Sequence, residues 1–310
     1  MTQVALPEMK RFNYDYSLAT GSIAAGGTIG ILIPPSVILV LYGILTESNI
    51  GELFLAGFIP GILTIIFFMA TIAITTRIFP DSGPRGEKTT FKQKIMAFKD
   101  VWGTVILFVL VIGGIYTGIF SPEEAAGIGA SGALALALLA RTMTWPIFLD
   151  CLMQTVRTSA MIFTILIGAI LFNNFLVLSA VPDAIGAWIG NLPFTSTVIM
   201  LIILLIYLIM GCALDSLAMI LLTIPIFFPV VVNLGFDPIW FGIIVVMVVE
   251  LGLITPPVGM NVFIIKGMAA EVPLSKIYKG VLPFVIAQIL LITLIVFFPK
   301  IATWLPSTMG

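Results

Sequence analysis

The chain has 310 residues, 60% hydrophobic and 9% charged, with a mean hydropathy of +1.21 and a net charge of −1. No soluble core hides that much apolar surface, so a soluble domain is excluded, and without a basic cluster so is a nucleic-acid partner. Histidine is absent, which removes imidazole bases, histidine-based triads and histidine-containing metal sites; the chain reads as an all-α polytopic membrane protein and not as an enzyme.

At about 20 residues per crossing, the apolar segments accommodate roughly eight to ten spans or re-entrant arms. Met1 to Arg11 mixes Glu8, Lys10 and Arg11 with too short an apolar run for a signal peptide. The first span is expected from about Ala19 to Leu45, interrupted at Gly30-Ile31-Leu32-Ile33-Pro34-Pro35-Ser36. Proline lacks the backbone donor and clashes with the preceding turn, so two in succession break the helix and free carbonyl oxygens at membrane depth. After a polar loop at Glu47 to Glu52, a second span runs from about Leu53 to Phe79.

The Arg77 to Asp100 stretch, with Arg85, Lys88, Lys92, Lys94 and Lys99, is the long hydrophilic loop and the border between two halves. Residues 1–79 then form the end of a first repeat, 80–100 a cytoplasmic linker and 101–310 a second repeat. Val101 to Phe120 and Glu124 to Arg141 make a helical pair joined at Ser121-Pro122-Glu123-Glu124, a helix start with proline in its first turn. Gly114 and Gly118 form a G-x-x-x-G, followed by Gly127, Gly129 and Gly132, which predicts close helix packing.

Phe148 to Leu178 is a further span, and Pro182 to Leu192, with Trp188, a short amphipathic piece at the interface. Thr197 to Gly211 and Leu217 to Val232 are two short apolar arms joined by Cys212-Ala213-Leu214-Asp215-Ser216, the pattern of a re-entrant hairpin (197–232). The second broken span is Ile239 to Ile265, carrying Gly252-Leu253-Ile254-Thr255-Pro256-Pro257-Val258, and the last is Ile277 to Phe298. Cys151 and Cys212 read as buried small hydrophobes. Lys10, Arg11, the 77–99 loop, Arg141, Arg157, Lys266, Lys276 and Lys279 are expected on the cytoplasmic side. Glu47, Glu52, Glu123, Glu124, Asp183, Asp237 and the C-terminus are expected on the other.

A shift of 222 residues aligns Pro7 with Pro229, Asp15 with Asp237, Gly30 with Gly252 and Pro34-Pro35 with Pro256-Pro257. One residue more aligns Gly57-x-x-Pro60 with Gly280-x-x-Pro283. These residue types set backbone shape, and the number of crossings between the copies makes them run in opposite directions: an inverted-topology repeat with discontinuous helices, whose site lies between the halves. The hairpin of the first copy would map to positions before Met1, so the chain is expected to be the C-terminal part of a longer permease, or a gene product with a displaced start.

Ala5-Leu6-Pro7-Glu8-Met9-Lys10, Gly30 to Ser36 with Leu41-Tyr42-Gly43, Tyr116 to Ala126 and Glu250 to Gly259 together resemble the recurrent segments of the large membrane subunit of tripartite ATP-independent periplasmic (TRAP) transporters. The resemblance implies sodium-driven, elevator-type uptake of an organic acid such as a C4-dicarboxylate or sialic acid across a bacterial or archaeal inner membrane. It also implies a small membrane subunit, a periplasmic solute-binding protein and surrounding lipid. Na+ is the expected coupling ion, with no organic cofactor or transition metal. The sodium candidates are Gly30, Ile31, Ile33 and Pro34 at the first break, and Gly211, Gly252, Thr255 and Pro257 at the second. Thr28, Ser36, Asp215, Ser216 and Asn261 are the substrate candidates. Asp215 has a second reading as the cap of the second hairpin arm. Glu250, aligned with Thr28, is the next ionisable candidate or a structural hydrogen-bonding group, and Lys266 is expected to reach the cytoplasmic surface. Two other functions fit the same fold: a carboxylate permease that needs no binding protein, and a scaffold that only assembles with a partner.

Overall fold

The computed structural model describes residues 2–84, 90, 102–181, 184–185 and 193–308. The lysines expected at 88, 92, 94 and 99, Arg85 and most of the 182–192 piece, Trp188 included, lie outside the described residues. The described residues form fourteen α-helices and no strand: α1 (Thr2–Arg11), α2 (Tyr16–Gly26), α3 (Ile29–Leu32), α4 (Val37–Thr46), α5 (Ile50–Ile78), α6 (Trp102–Tyr116), α7 (Pro122–Leu139), α8 (Trp145–Leu178), α9 (Ser196–Gly211), α10 (Ser216–Asn233), α11 (Pro238–Ile254), α12 (Met260–Met268), α13 (Leu274–Phe297) and α14 (Lys300–Thr303).

Helices start where the sequence supplies a cap. Asp15 accepts from the Ser17 N–H at 2.8 Å and Asp237 from the Trp240 N–H at 2.8 Å. The two aspartates aligned by the repeat therefore do the same work, satisfying an orphan donor in the first turn of a broken helix. Asn49 caps α5, and Ser121 with Glu124 closes a capping box on α7. Four described helices are long and apolar enough to cross a membrane, namely α5, α8, α10 and α13, and a fifth crossing is made if the bent pair 16–32 and 37–46 counts as one. The arms α9 and α10 have 16 and 18 residues, about 24 and 27 Å of helix against a ~30 Å hydrocarbon core.

The chain separates into two compact units, residues 1–84 with 169–308 and residues 85–168, so the 101–310 segment divides between them and the two broken helices share one unit. In the first unit α11 is buried from Trp240 through Ile254. A helix apolar on every face belongs at the centre of a core, and α3, α4, α5, α9, α10, α12 and α13 pack around it. Helices of one copy lie on helices of the other: α2 crosses α13 where a side chain on Gly21 would strike the Gly280 backbone. By the repeat, Gly21 and Gly280 correspond to Ile243 and Gly57, and Ile243 does reach Gly57, its Cδ1 3.7 Å from where a Cβ would stand. Tyr42 ties α4 to the start of α11 by donating its hydroxyl to the Pro238 carbonyl at 2.6 Å.

In the second unit α6 packs on α7, through Gly129 and Gly132 of the expected glycines together with Gly103, and not through the G-x-x-x-G. Gly118 lies beyond the end of α6 with φ +71°, a left-handed turn residue, so Gly114 and Gly118 do not line one helix face. Gly114 instead leaves room for the ring of Phe120, while Gly103 meets Leu136, Gly132 meets Leu107 and Gly129 meets Val111. A G-x-x-x-G read from spacing needs a helix that continues through both glycines, and this one stops at Tyr116. Cys151, expected to be buried, is exposed on α8, whereas Cys212 is buried; α8 presents most of its apolar surface outward, including Phe163, Ile167 and Leu171.

Candidate ion and substrate site at two broken helices

Both Pro-Pro stretches interrupt helices, and both Pro-Pro bonds are cis. At the first break, α3 ends at Leu32, Ile33 is extended, and Ser36 caps α4 by accepting from the Leu39 N–H at 3.3 Å. The Ser36 hydroxyl itself donates to the Ile31 carbonyl. Ile33 fits against Gly61, and the Leu32 carbonyl lies 2.7 Å from where a Cβ on Gly57 would stand, so α5 supports the break with bare backbone. Thr28 is buried and donates to the Ala25 carbonyl at 2.9 Å. Gly30 is exposed, with open space where a side chain would project, and Pro34 is buried.

At the second break, the hairpin tip and the interrupted helix meet backbone to backbone. A Cβ on Gly252 would lie 2.6 Å from the Gly211 carbonyl carbon. The Gly259 N–H, in a residue with φ +61°, donates to the Cys212 carbonyl at 3.1 Å. The Cys212 thiol lies 3.2 Å from the Leu208 carbonyl and 3.6 Å from that of Pro256. Thr255 donates its hydroxyl to the Leu251 carbonyl at 2.6 Å. The Tyr278 hydroxyl lies 2.8 Å from the Pro257 oxygen and 2.7 Å from the Val258 oxygen, so it shares one proton between two carbonyls of the non-helical stretch that joins α11 to α12. Neither Tyr278, set between Lys276 and Lys279, nor Cys212 gave a sequence signal as a partner of the break.

Asp215 is exposed and accepts from the Leu217 N–H at 3.0 Å, which is the capping role. Ser216 opens α10 beside it. Asn261 reaches across the repeat: its amide donates to the Ala24 carbonyl at 3.4 Å, close to Gly27 and Thr28 at the end of α2. Lys266 donates to the Ala270 and Val272 carbonyls at 2.6 and 2.9 Å, capping the turn after α12. The structure therefore groups Gly211, Gly252, Thr255 and Pro257 at one break, Thr28, Gly30, Ile31, Ile33, Pro34 and Ser36 at the other, and Asn261 between copies.

Outside the membrane core, α1 is held by an ion pair between Lys10 and Glu271 at 3.6 Å. The Tyr16 hydroxyl beside Lys10 raises the lysine's pKa, with Glu271 adding to it. Glu271 is lowered mainly by its own backbone N–H and then by Lys10. Two cavities lie at helix ends away from the breaks. One, of about 640 Å³, is lined by Glu52, Asp237 and Lys300, and the other, of about 390 Å³, by Asp15, Lys276 and Asp81; each sits beside one of the two capping aspartates.

Comparison with known proteins places these features. The family model for the tripartite ATP-independent periplasmic transporter, DctM component, matches residues 1–301. A C4-dicarboxylate TRAP transporter large permease protein of Pseudomonas aeruginosa is 33% identical over 309 residues, which is 99% of this chain and 71% of the relative. A sialic acid TRAP transporter large permease protein of Vibrio cholerae is 31% identical over 310 residues, 98% of this chain and 71% of the relative. An isethionate TRAP transporter permease protein of Oleidesulfovibrio alaskensis is 32% identical over 301 residues, 96% of this chain and 47% of the relative. The chain belongs to the large permease, or DctM, component of the tripartite ATP-independent periplasmic transporters, an inner-membrane transport family and not an enzyme family.

Proposed function

We propose that the chain takes part in sodium-coupled uptake of a small organic acid delivered by a periplasmic solute-binding protein, with a small membrane subunit as partner. The observation that carries the reading is the pair of helix breaks at Pro-Pro, each set in a Gly-x-x-x-Pro-Pro segment and lying within one compact unit. Interrupted helices at membrane depth expose backbone oxygens, and those suit a hard cation. Sodium is assigned to Gly30, Ile31, Ile33 and Pro34 at one break and to Gly211, Gly252, Thr255 and Pro257 at the other. The Tyr278 hydroxyl, shared between the Pro257 and Val258 oxygens, draws on the same Pro257 carbonyl that would ligate the ion. Thr28, Ser36, Asp215, Ser216 and Asn261 are assigned to the substrate, its carboxylate met by hydroxyls, the Asn261 amide and the N-terminal end of α10.

The relatives named for C4-dicarboxylates, sialic acid and isethionate support an organic anion as the class of solute. An elevator movement of the broken helices against the remainder completes the proposal. Reconstitution in proteoliposomes, with the small subunit and binding protein supplied, tests it. Uptake that requires both an inward sodium gradient and the binding protein is the expected result. Uptake indifferent to sodium removes the coupling, and uptake without the binding protein favours the simpler permease.

A further inference from the structure

The cavity of about 390 Å³ beside Asp15 lies where α2 and α13 begin and α5 ends, with the short Pro80–Ser82 turn at its edge. Because α5 and α13 are long and apolar enough to cross a membrane, these ends stand at a membrane surface, and so does the cavity. One wall follows α13 inward from Lys276 to Phe284, eight positions or about 12 Å of helix. The headgroup zone of a bilayer is about 5 to 8 Å deep on each side. The charged mouth therefore sits among headgroups, and Leu18, Pro283 and Phe284 lie at the depth of the first methylenes.

Four charged side chains line that mouth, Asp15, Asp81, Lys276 and Lys279, two of each sign. Asp15 is already engaged: one carboxylate oxygen caps α2 through the Ser17 N–H, and the other lies 4.0 Å from the Lys276 ammonium. Asp81 and Lys279 are exposed and, among the described residues, have no ion-pair partner. An anion alone would face two aspartates, and a cation alone two lysines. A molecule that carries both charges leaves the sum at zero, and a phospholipid headgroup that joins a phosphate to an amine is such a molecule. A quaternary ammonium calls for several aromatic faces, but Phe284 packs edge-to-face on Phe68 with centroids 5.4 Å apart, which leaves Phe79 alone. A primary ammonium has three N–H donors that carboxylates accept directly.

We propose that this cavity binds the headgroup of an ethanolamine-type phospholipid: Lys279 and Lys276 meet the phosphate, Asp81 with Asp15 beside it meets the primary ammonium, and Leu18 and Pro283 meet the glycerol end of the acyl chains. One lipid bound there joins the turn after α5 to the start of α13, over the place where Gly280 meets the Ser17 carbonyl. The cavity beside Asp237, its counterpart in the repeat, holds Lys300 against Glu52 and Asp237. One cation to two acids does not match the same headgroup, so the assignment is confined to the cavity beside Asp15. It rests neither on sodium coupling nor on the identity of the solute.

Native mass spectrometry of the purified chain in detergent, titrated with dioleoyl phosphatidylethanolamine, phosphatidylcholine or phosphatidylglycerol, tests it. The ethanolamine lipid is expected to bind about tenfold tighter than the choline lipid, the factor that follows from a charge-assisted hydrogen bond, and tighter than the glycerol lipid. Asp81→Asn is expected to cut the preference for ethanolamine over choline to about threefold or less, because the remaining hydrogen bond lacks the carboxylate charge. Lys279→Gln should weaken all three lipids, whereas Lys10→Gln, at an exposed lysine outside the cavity, should weaken none. Unfolding midpoints without added lipid should match the wild type for all three variants, which alter exposed side chains. Four results overturn the assignment: ethanolamine lipid bound no tighter than the choline or glycerol lipid, a preference that survives Asp81→Asn, Lys279→Gln as harmless as Lys10→Gln, or glycerophosphoethanolamine displacing the lipid at equal concentration, which identifies a soluble ligand instead.

Discussion

Gly30 and Gly252 occupy the same place in the two Gly-x-x-x-Pro-Pro segments, yet their surroundings predict opposite responses to alanine. A Cβ at position 252 would stand 2.6, 2.7 and 2.9 Å from the Gly211 carbonyl carbon, Cα and oxygen. All three are backbone atoms and none can swing aside. Carbon atoms settle at about 3.5 to 4.0 Å, so α9 and α11 must part by roughly 0.9 Å or more, a gap that forfeits about a quarter to a half of each contact along the seam. Overpacking of this kind costs about 1 to 3 kcal/mol. At Gly30 nothing lies within 4 Å, and alanine in place of a helical glycine contributes up to about 1 kcal/mol. Gly211→Ala falls between, since its Cβ would stand 3.3 Å from the Gly252 Cα. Unfolding midpoints of the purified variants in detergent should rank Gly30→Ala at or above wild type, then Gly211→Ala, then Gly252→Ala. Gly252→Ala as stable as wild type, or Gly30→Ala as damaged as Gly252→Ala, would refute the reasoning.

Three further outcomes are expected. Tyr278→Phe removes the donor that competes for the Pro257 oxygen; a neutral hydrogen bond is worth about 0.5 to 1.5 kcal/mol, so half-saturation by sodium should fall roughly 2- to 10-fold, measured by uptake at varied sodium. Asp215→Ala loses the α10 cap and about 1 kcal/mol, while Asp215→Asn retains it; unfolding midpoints distinguish the two, and an uptake defect in both variants, the stably capped Asn variant included, would point to the charge instead. Because the folded pKa of Glu271 is depressed, its contribution is present above the unfolded value of about 4.3 and fades as pH falls through the lower folded value. Lys10→Ala should narrow that window only in part, since the backbone N–H is the larger cause, and titration of stability between neutral and acid pH reads it.

What the sequence made legible follows from what prolines, aspartates and glycines do locally. Pro34-Pro35 and Pro256-Pro257 break helices wherever they stand, and Asp15 and Asp237 cap helices from next door, so the breaks, the hairpin and the repeat were all visible along the chain. The partners of the freed groups were not. Tyr278 reaches Pro257 across 21 residues, Asn261 reaches Ala24 across 237, and Gln288 meets Glu250 across 38, distances at which no helical period carries information. The misread G-x-x-x-G shows the complementary limit: spacing counts residues, but Gly118 had left the helix before the count was complete. Cys151 failed for another reason, because apolar surroundings in sequence mean burial in a soluble core but outward exposure on a helix such as α8.

The crossing of α2 with α13 is made of main chain: Gly21 against Gly280, and Gly280 in turn against the Ser17 carbonyl. Where side chains interdigitate, two helices can shift by hopping between rotamers; here the closest approach is backbone on backbone. The first broken helix is thus geared to the helix that follows the second break, and Tyr278, anchored on that helix, holds the second break to the same shaft. On the proposed function, a stroke that moves one break is expected to carry the other with it, so the two would load and unload on a single beat.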